Sequence, residues 1–400
     1  MTAEELLDEM AAAALDCAGC AALYLVGGAV RDQQLGQPLN QLRDLDFVVE
    51  GSAIDLGKSL VARHGGELSS HERFGTASWL GPLWPTVIDL VTARSEQYPT
   101  PGQLPMVTTA SIDEDLRRRD FTVNSLALRI APGDRELLDP SCGLDDLSKG
   151  ILRIHHPGSF HDDATRILRL ARLAVRLDLG VHPQTSASLV KALDDGALDL
   201  VSGDRLWAEW LLLCAEPDPV AVVAWMRDHG VAEVLVPGMA SRSFGMLERG
   251  LAASSTARTW SPLLSLASVL SGADPRSAAQ RFGLQGDAAA RLRSLAAALL
   301  DLLGPLLEGP GDDVLDDLLR HSDELERSFL MAADPAAKES VLRYEEHVLR
   351  LPALLSGADL LAAGMEQGQA LGEALRLTRT RQLRGELGSA REALEALGLG

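Results

Sequence analysis

Arg43-Asp44-Leu45-Asp46-Phe47-Val48-Val49 sets two carboxylates two residues apart in an otherwise apolar run. Such a run reads as a β-strand, and on a strand residues i and i+2 share a face. Carboxylates on one face repel each other unless a cation lies between them, and hard oxygen ligands of single charge suit Mg²⁺. A third acid, Asp89, stands in the apolar run Thr86-Val87-Ile88-Asp89-Leu90-Val91, which can pair beside the first. Three acids on neighbouring strands can hold two Mg²⁺ ions about 4 Å apart, an arrangement suited to in-line transfer at phosphorus. Asp-x-Asp alone fits surface turn acids equally well, so its surroundings decide.

Upstream lies Val26-Gly27-Gly28-Ala29-Val30-Arg31-Asp32, directly after a strand and opening a helix. Paired glycines let backbone N–H groups approach a phosphate, and Arg31 adds a charged fork beside a helix N-terminus. Working outward, Leu23–Val26, Leu45–Val49, Thr86–Val91 and Ser125–Ile130 read as strands bounded by Gly, Pro and Asp. Ser52–His64 and the segment around Arg118–Leu128 read as helices. From about Ser159 the pattern changes to Leu/Ala-rich segments of helical period broken by prolines, with Gly304–Gly311 the best joint in that half. The fold class expected is α+β: a head with a small mixed sheet, followed by an all-helical remainder.

The 400 residues carry a net charge of −20 and 46% hydrophobic side chains, enough for several cores. So acidic a chain does not hold nucleic acid by a global positive field, and any phosphate contact must be local. One locality exists in Arg166, Arg169, Arg172 and Arg176, spaced by helical turns. No apolar run approaches the ~20 residues that span a bilayer, and the acidic amphipathic Met1–Asp16 is unlike a signal peptide. The expected location is the cytoplasm. Cys17 and Cys20 form one CxxC, but Cys142 and Cys214 supply no second pair at zinc spacing, so plain thiols are expected.

Taken together, Leu25–Asp32, Asp44-Leu45-Asp46 and Arg118-Arg119-Asp120-Phe121-Thr122-Val123-Asn124 closely resemble the motifs of the class II CCA-adding enzyme and bacterial poly(A) polymerase family, within the polymerase β superfamily. The resemblance continues through Asp139–Leu147, Phe160–Arg169 and Gly203-Asp204-Arg205-Leu206-Trp207-Ala208-Glu209, and fades beyond the Pro237 region. It implies a head (1–150), a helical neck that reads the base (151–205), a helical body (206–303) and a helical tail that binds tRNA (304–400). It also implies template-independent addition of C, A or both to the tRNA acceptor end, from CTP and ATP. Asp44, Asp46 and Asp89 would be the catalytic metal ligands for two Mg²⁺ ions. Gly27, Gly28, Arg31, Arg119, Asp120 and Asn124 would hold the nucleotide together with Asp163, Arg166, Arg169 and Arg172.

The family's Glu-Asp-x-x-Arg motif appears here as Asp162-Asp163-Ala164-Thr165-Arg166. An Asp acceptor beside an Arg donor fits the edges of cytosine and adenine, whereas uracil and guanine turn a carbonyl toward the carboxylate. Spacing predicts that Asp163 and Arg166 lie on one helix. Arg169 and Arg172 continue the series, with Ile167, Leu168, Ala171, Ala174 and Val175 on the other side. A solvated charged face is the plainer account of an isolated stripe, but one that follows Asp162-Asp163-x-x-Arg166 reads instead as a neck helix leaning on its core and presenting arginines to nucleotide and phosphates.

Two other classes stand against this reading. His161-Asp162, with His155, His156 and His182, fits an HD-type metal phosphohydrolase, although that chemistry needs ligands spread over several helices. A non-catalytic RNA-binding protein on a dead polymerase head would lack a carboxylate, and all three are present. Trp207, Trp210, Trp225 and Trp260 read as core rather than stacking platforms. The segment Tyr98–Pro105 corresponds to a flexible loop that carries basic residues in CCA-adding members and carries none here. That departure leaves a CC-adding or an A-adding enzyme open. The chain ends in a Leu/Ala/Glu/Gly-rich helix where poly(A) polymerases of the family usually carry a basic extension, which speaks against that product, and no pattern indicates an oligomeric state.

Overall fold

The computed structural model describes residues 2–39, 45–97, 105–239, 266–267 and 274–399. Asp44, Tyr98–Leu104 and Trp260 lie outside the described residues. The chain gathers into two compact units, Met1–Glu209 with Glu216–Met226, and Trp210–Ala215 with Arg227–Gly400.

Among the described residues the first unit holds β1 (Cys20–Val26), β2 (Leu45–Gly51), β3 (Glu67–His71), β4 (Thr76–Leu80), β5 (Ile88–Thr92), β6 (Arg94–Gln97), β7 (Met106–Thr109), β8 (Ala127–Ala131) and β9 (Leu137–Leu138), and a short parallel pair, Ile151–Leu152 with Gly180–Val181, that interrupts the expected all-helical remainder. Seven of them form one mixed sheet in the order β3-β4-β5-β2-β1-β8-β9. Within it β2 and β5 run parallel and the other pairs are antiparallel. Strands β6 and β7 make a separate antiparallel hairpin. The polar β3 and the hairpin escape the alternation expected of a half-buried strand, which is why the apolar runs alone do not reveal them.

Three helices position this sheet: α1 (Ala3–Asp16), α2 (Gly28–Gln34) and α3 (Ala53–His64). Thr2 and Glu5 close a capping box on α1, satisfying two backbone donors that the helix itself cannot. The apolar stripes of α1 and α3 pack on the face bearing Leu23, Leu25, Phe47 and Val49. On the opposite face Tyr24, Val26 and Val48 pack with Ile112 and Leu116 of α4 (Ile112–Arg117), a helix capped by Ser111 and Glu114. Each buried leucine or isoleucine of these layers contributes about 1.5–3 kcal/mol.

After α4 the chain departs from the expected helix over Arg118–Leu128. Only Thr122–Asn124 makes a single 3₁₀ turn before β8 begins. Asp120 accepts hydrogen bonds from the Phe121 N–H and from Asn124 Nδ2, and the Ser125 hydroxyl donates to the Phe121 carbonyl. These local bonds offer the backbone an alternative to helical pairing.

Next come α5 (Gly143–Ser148), the short α6 (Ser159–Asp162), α7 (Thr165–Arg176), α8 (Pro183–Asp194) and α9 (Gly203–Cys214). The second unit is helical throughout its described length. One of its cores joins Leu306, Leu315, Leu319, Leu330 and Val341, and another joins Leu355, Leu360, Ala374 and Leu387. A break at 308–311 separates helices Leu303–Leu307 and Asp312–Leu319. Trp210 is buried edge-on against Phe282, as a core residue. No helix among the described residues is long and apolar enough to cross a membrane. The fold is α+β, a mixed-sheet head followed by helices.

Candidate active site

Sheet register brings the acids together. Asp46 pairs with Asp89 across the parallel strands β2 and β5, and both are exposed between buried neighbours. Ser78 of β4 lies opposite Asp89 and donates its hydroxyl to the Asp89 carboxylate at 2.5 Å. Val26, the last residue of β1, lies opposite Asp46. The Gly27-Gly28 turn therefore leaves the sheet at the row that carries the carboxylates.

Gly27 has φ 69° and ψ −130°, a backbone state that side chains disfavour. A Cβ there would stand 2.9 Å from Arg119 Nη1, so the absent side chain also makes room for a guanidinium. Arg31, buried one turn into α2, donates to Asp32 at 2.7 Å and to the side-chain oxygen of Asn124.

From Asn124 the contacts continue to Asp120, whose second oxygen receives Arg169 Nη2 at 2.7 Å and Nε at 2.9 Å. Burial alone pushes the Asp120 carboxyl up. The Arg169 charge and the hydrogen bonds from Asn124, Arg169 and the Phe121 N–H outweigh it and bring the group down to about 2. Arg31, Asn124, Asp120 and Arg169 thus form one connected polar chain.

Asp163 and Arg166 do not share a helix, contrary to the spacing. Asp163 sits in extended conformation between α6 and α7, where its carboxylate accepts from the Thr165 N–H at 3.0 Å and caps α7. Its ion-pair partner is Arg205 of α9, at 2.7 Å. Buried Arg166 donates to the Ser159 hydroxyl at 2.7 Å and to the Arg118 carbonyl at 2.8 Å. Nor is the stripe a solvated face: Arg172 is buried and held by Glu209 and Glu216, each at 2.8 Å.

These groups border one cavity of about 850 Å³. Nine arginines line it against six Asp or Glu, a local excess of positive charge in a chain of net charge −20. Of the acids on the sheet, Asp46 borders the cavity; Asp89 stands beside it on the next strand and is not part of the lining. Such an enclosure favours a polyanion, and Asp46 offers an oxygen ligand at its edge.

Several members escaped the sequence reading. Asp115 is fully buried and binds both Arg118 and Arg119, three and four residues on, a spacing that could have revealed it. Glu96 of β6 receives Arg118 at 2.8 Å. Arg205 and Glu209 sit in a quoted motif, but their partners lie 42 and 37 residues away, beyond the reach of local spacing.

The histidines scatter. His161 meets Asp195 at 2.9 Å, His156 meets Asp162 at 3.3 Å, and His182 meets Arg153. His155 lies between the hydroxyls of Ser125, at 2.7 Å, and Ser141, at 3.3 Å. Among the described residues no three His, Cys, Asp or Glu converge as metal ligands, so the HD-type arrangement does not assemble. Cys17 and Cys20 are free thiols, and burial pushes that of Cys20 up to about 11.

The sequence profile of the poly A polymerase head domain matches residues 23–153. An A-adding tRNA nucleotidyltransferase of Halalkalibacterium halodurans is 39% identical over 218 residues, 54% of this chain and 50% of that protein. A CC-adding tRNA nucleotidyltransferase of Deinococcus radiodurans is 44% identical over 222 residues, 54% of this chain and 56% of that one. The chain thus spans about half the length of the curated relatives it matches. A solved CCA-adding enzyme, in its apo form II, is similar over 98% of this chain and 95% of its own, with a TM-score of 0.80 and 27% identity. Residues 23–153 thus match the poly A polymerase head domain, and the chain is similar to tRNA nucleotidyltransferases of the A-adding and CC-adding kinds and to a CCA-adding enzyme.

Proposed function

We propose that this protein is a template-independent tRNA nucleotidyltransferase that adds C, A or both to a tRNA 3′ end from CTP and ATP, releasing pyrophosphate. The observation that carries the reading is that Asp46, the Gly27-Gly28 turn, Asp163 and Arg166 border one arginine-rich cavity. A metal ligand, a phosphate-approaching backbone and a base-facing acceptor then serve a single nucleotide.

Enzymes of this family generally depend on a divalent metal. The residues here fit one, since Asp46 and Asp89 are exposed carboxylates in register on adjacent strands. We assign two Mg²⁺ ions to Asp46, Asp89 and Asp44, the last outside the described residues. Bound there, the ions acidify the RNA 3′-hydroxyl and offset charge on the departing pyrophosphate.

Arg31, held by Asn124, and Arg119, beside Gly27, receive the triphosphate. Asp120 and Arg169 brace that subsite, and Arg172 lines the same wall. The base faces Asp163 and Arg166, where an exocyclic amine can donate to the carboxylate. The 3′-hydroxyl oxygen attacks the α-phosphorus in line, forming a P–O bond as the bond to the β-phosphate oxygen breaks; the hydroxyl proton is released. No covalent enzyme intermediate is required.

We further assign residues 1–150 to a catalytic head, 151–205 to a base-reading neck, 206–303 to a body and 304–400 to a tail that grips the acceptor arm, in a protein of the cytoplasm. The relatives are named for A addition and for CC addition, so similarity does not favour one product.

The test is primer extension with Mg²⁺ and single labelled nucleotides on tRNAs ending before CCA, after C and after CC. Incorporation confined to C or A is expected, and the accepted substrate names the subtype. Long A tracts on unstructured RNA would indicate poly(A) synthesis, and no transfer to any RNA would sink the proposal.

A further inference from the structure

Asp115 is a carboxylate with no solvent exposure, placed on α4 where nothing in the transfer chemistry calls for an acid. Its two oxygens divide their work. Oδ1 accepts from Arg118 Nη2 at 2.7 Å, Arg118 Nε at 3.1 Å and the Arg94 N–H at 3.2 Å. Oδ2 accepts from Arg119 Nη2 at 3.1 Å and Nε at 3.4 Å. One edge of the Arg119 guanidinium is therefore taken up by Asp115, and the remaining nitrogen, Nη1, faces Gly27.

Enclosing an ionised carboxylate is unfavourable, and apolar residues of similar volume often support a fold equally well. Burial pushes this carboxyl up, and the charges of Arg119 and Arg118 hold it below its ordinary value. The arrangement makes chemical sense where the arginine has to be held in one orientation. A guanidinium gripped along one edge keeps its other edge in a fixed plane, which is how planar phosphate recognition is organised.

We propose that Asp115 is the positioning residue of the triphosphate subsite, aiming Arg119 past the Gly27 backbone at the phosphates of the incoming nucleotide. The inference rests on the nucleotidyltransferase reading and names a residue that the motifs leave unassigned. Asp115 itself touches no substrate. It acts through Arg119, while Arg118, braced on Glu96 and on the Arg94 carbonyl, fixes the carboxylate from the other side.

The experiment is calorimetric titration of the full chain with CTP and with CMP, in the unmodified protein, Asp115→Asn, Arg119→Met and the double variant. Asp115→Asn keeps the size of the side chain and removes its charge. CTP binding is expected to weaken by about tenfold, as for loss of a charge-assisted contact, with CMP changed less than about twofold. In the Arg119→Met background the same substitution should add nothing, since a positioning residue has nothing left to position.

Equal losses for CTP and CMP, or an additive loss on top of Arg119→Met, would mean that Asp115 only sustains the fold and would overturn the proposal. Unmodified protein that binds CTP no better than CMP would overturn both this and the nucleotidyltransferase reading. Normal CTP binding that Asp115→Asn leaves unchanged would overturn this one alone. Should Asp115→Asn not fold, Asp115→Glu keeps the charge and displaces Arg119 by one methylene. It should show the same CTP-selective loss, and undiminished CTP affinity there would be equally fatal.

Discussion

Arg205 reaches from α9 to place a guanidinium nitrogen 2.7 Å from the carboxylate of Asp163, while Arg166 donates to the Ser159 hydroxyl and the Arg118 carbonyl. The acceptor assigned to the base is therefore held in place by a residue 42 positions later. Arg205→Met leaves Asp163 its bonds to Thr165 and removes its charged partner. Discrimination of CTP and ATP against UTP and GTP should fall on the order of tenfold, the scale of one hydrogen bond to a charged group. Ratios of kcat/KM check it; unchanged ratios would show that Arg205 has no part in base choice.

Asp46→Asn and Asp89→Asn each remove one charge from an exposed position of the sheet. Transfer should fall at least about a hundredfold, while stability shifts by no more than about 0.5 kcal/mol. Paired rate assays and thermal melts decide the matter. A variant that melts normally and retains most of its metal-dependent activity rules its carboxylate out as a ligand.

Gly27→Ala meets two penalties at once, a positive φ and the guanidinium of Arg119. The backbone strain is on the order of 1–3 kcal/mol, and the displaced Arg119 should weaken triphosphate binding. Gly36→Ala is the control, because it shares a positive φ and nothing lies within 4 Å of its added carbon. If both substitutions leave nucleotide affinity alike, the closeness of Arg119 is incidental.

Acid should act in two separable windows. Burial, opposed by Asp120 and aided by Arg166, pushes His155 from 6.5 down to about 4. Between those values the unfolded chain binds a proton that the folded one refuses, so stability is lost as pH falls from 6.5 toward 4. The loss is on the order of 3 kcal/mol before solvent screening reduces it. Asp120, depressed from 3.8 to about 2, contributes stability present above 3.8 and lost as pH falls through 2. His155→Gln should flatten a chemical-denaturation profile in the upper window, and Asp120→Asn, which removes the charge opposing burial, should extend that window to lower pH.

Legibility in the sequence followed the range of the interactions. The strand of Asp46, the glycine turn after β1 and the helical second half rest on patterns spanning a few residues, and each formed where it was read. Arg118–Leu128 misled because its apolar spacing is helical while Asp120, Asn124 and Ser125 tie the backbone locally. The placement of Asp163 on the helix of Arg166 failed for a related reason: its carboxylate caps α7 from outside. Arg172 looked like a cation on offer, and nothing near it in sequence announces Glu209 or Glu216, which neutralise it from 37 and 44 residues away. Arginines are easily counted in a sequence. Their acids become visible only when the chain has folded.

Asp46 alternates with Phe47 along β2, and Asp89 with Leu90 along β5, each acid in water and each neighbour in the core. Sliding either strand by one residue would drive a carboxylate inward and a large apolar side chain outward. The interior of the head thus proofreads its own surface, because a misaligned sheet cannot persist as a folded, inactive impostor. Substitutions deep in that core should scale the number of working molecules and leave the turnover of each survivor untouched.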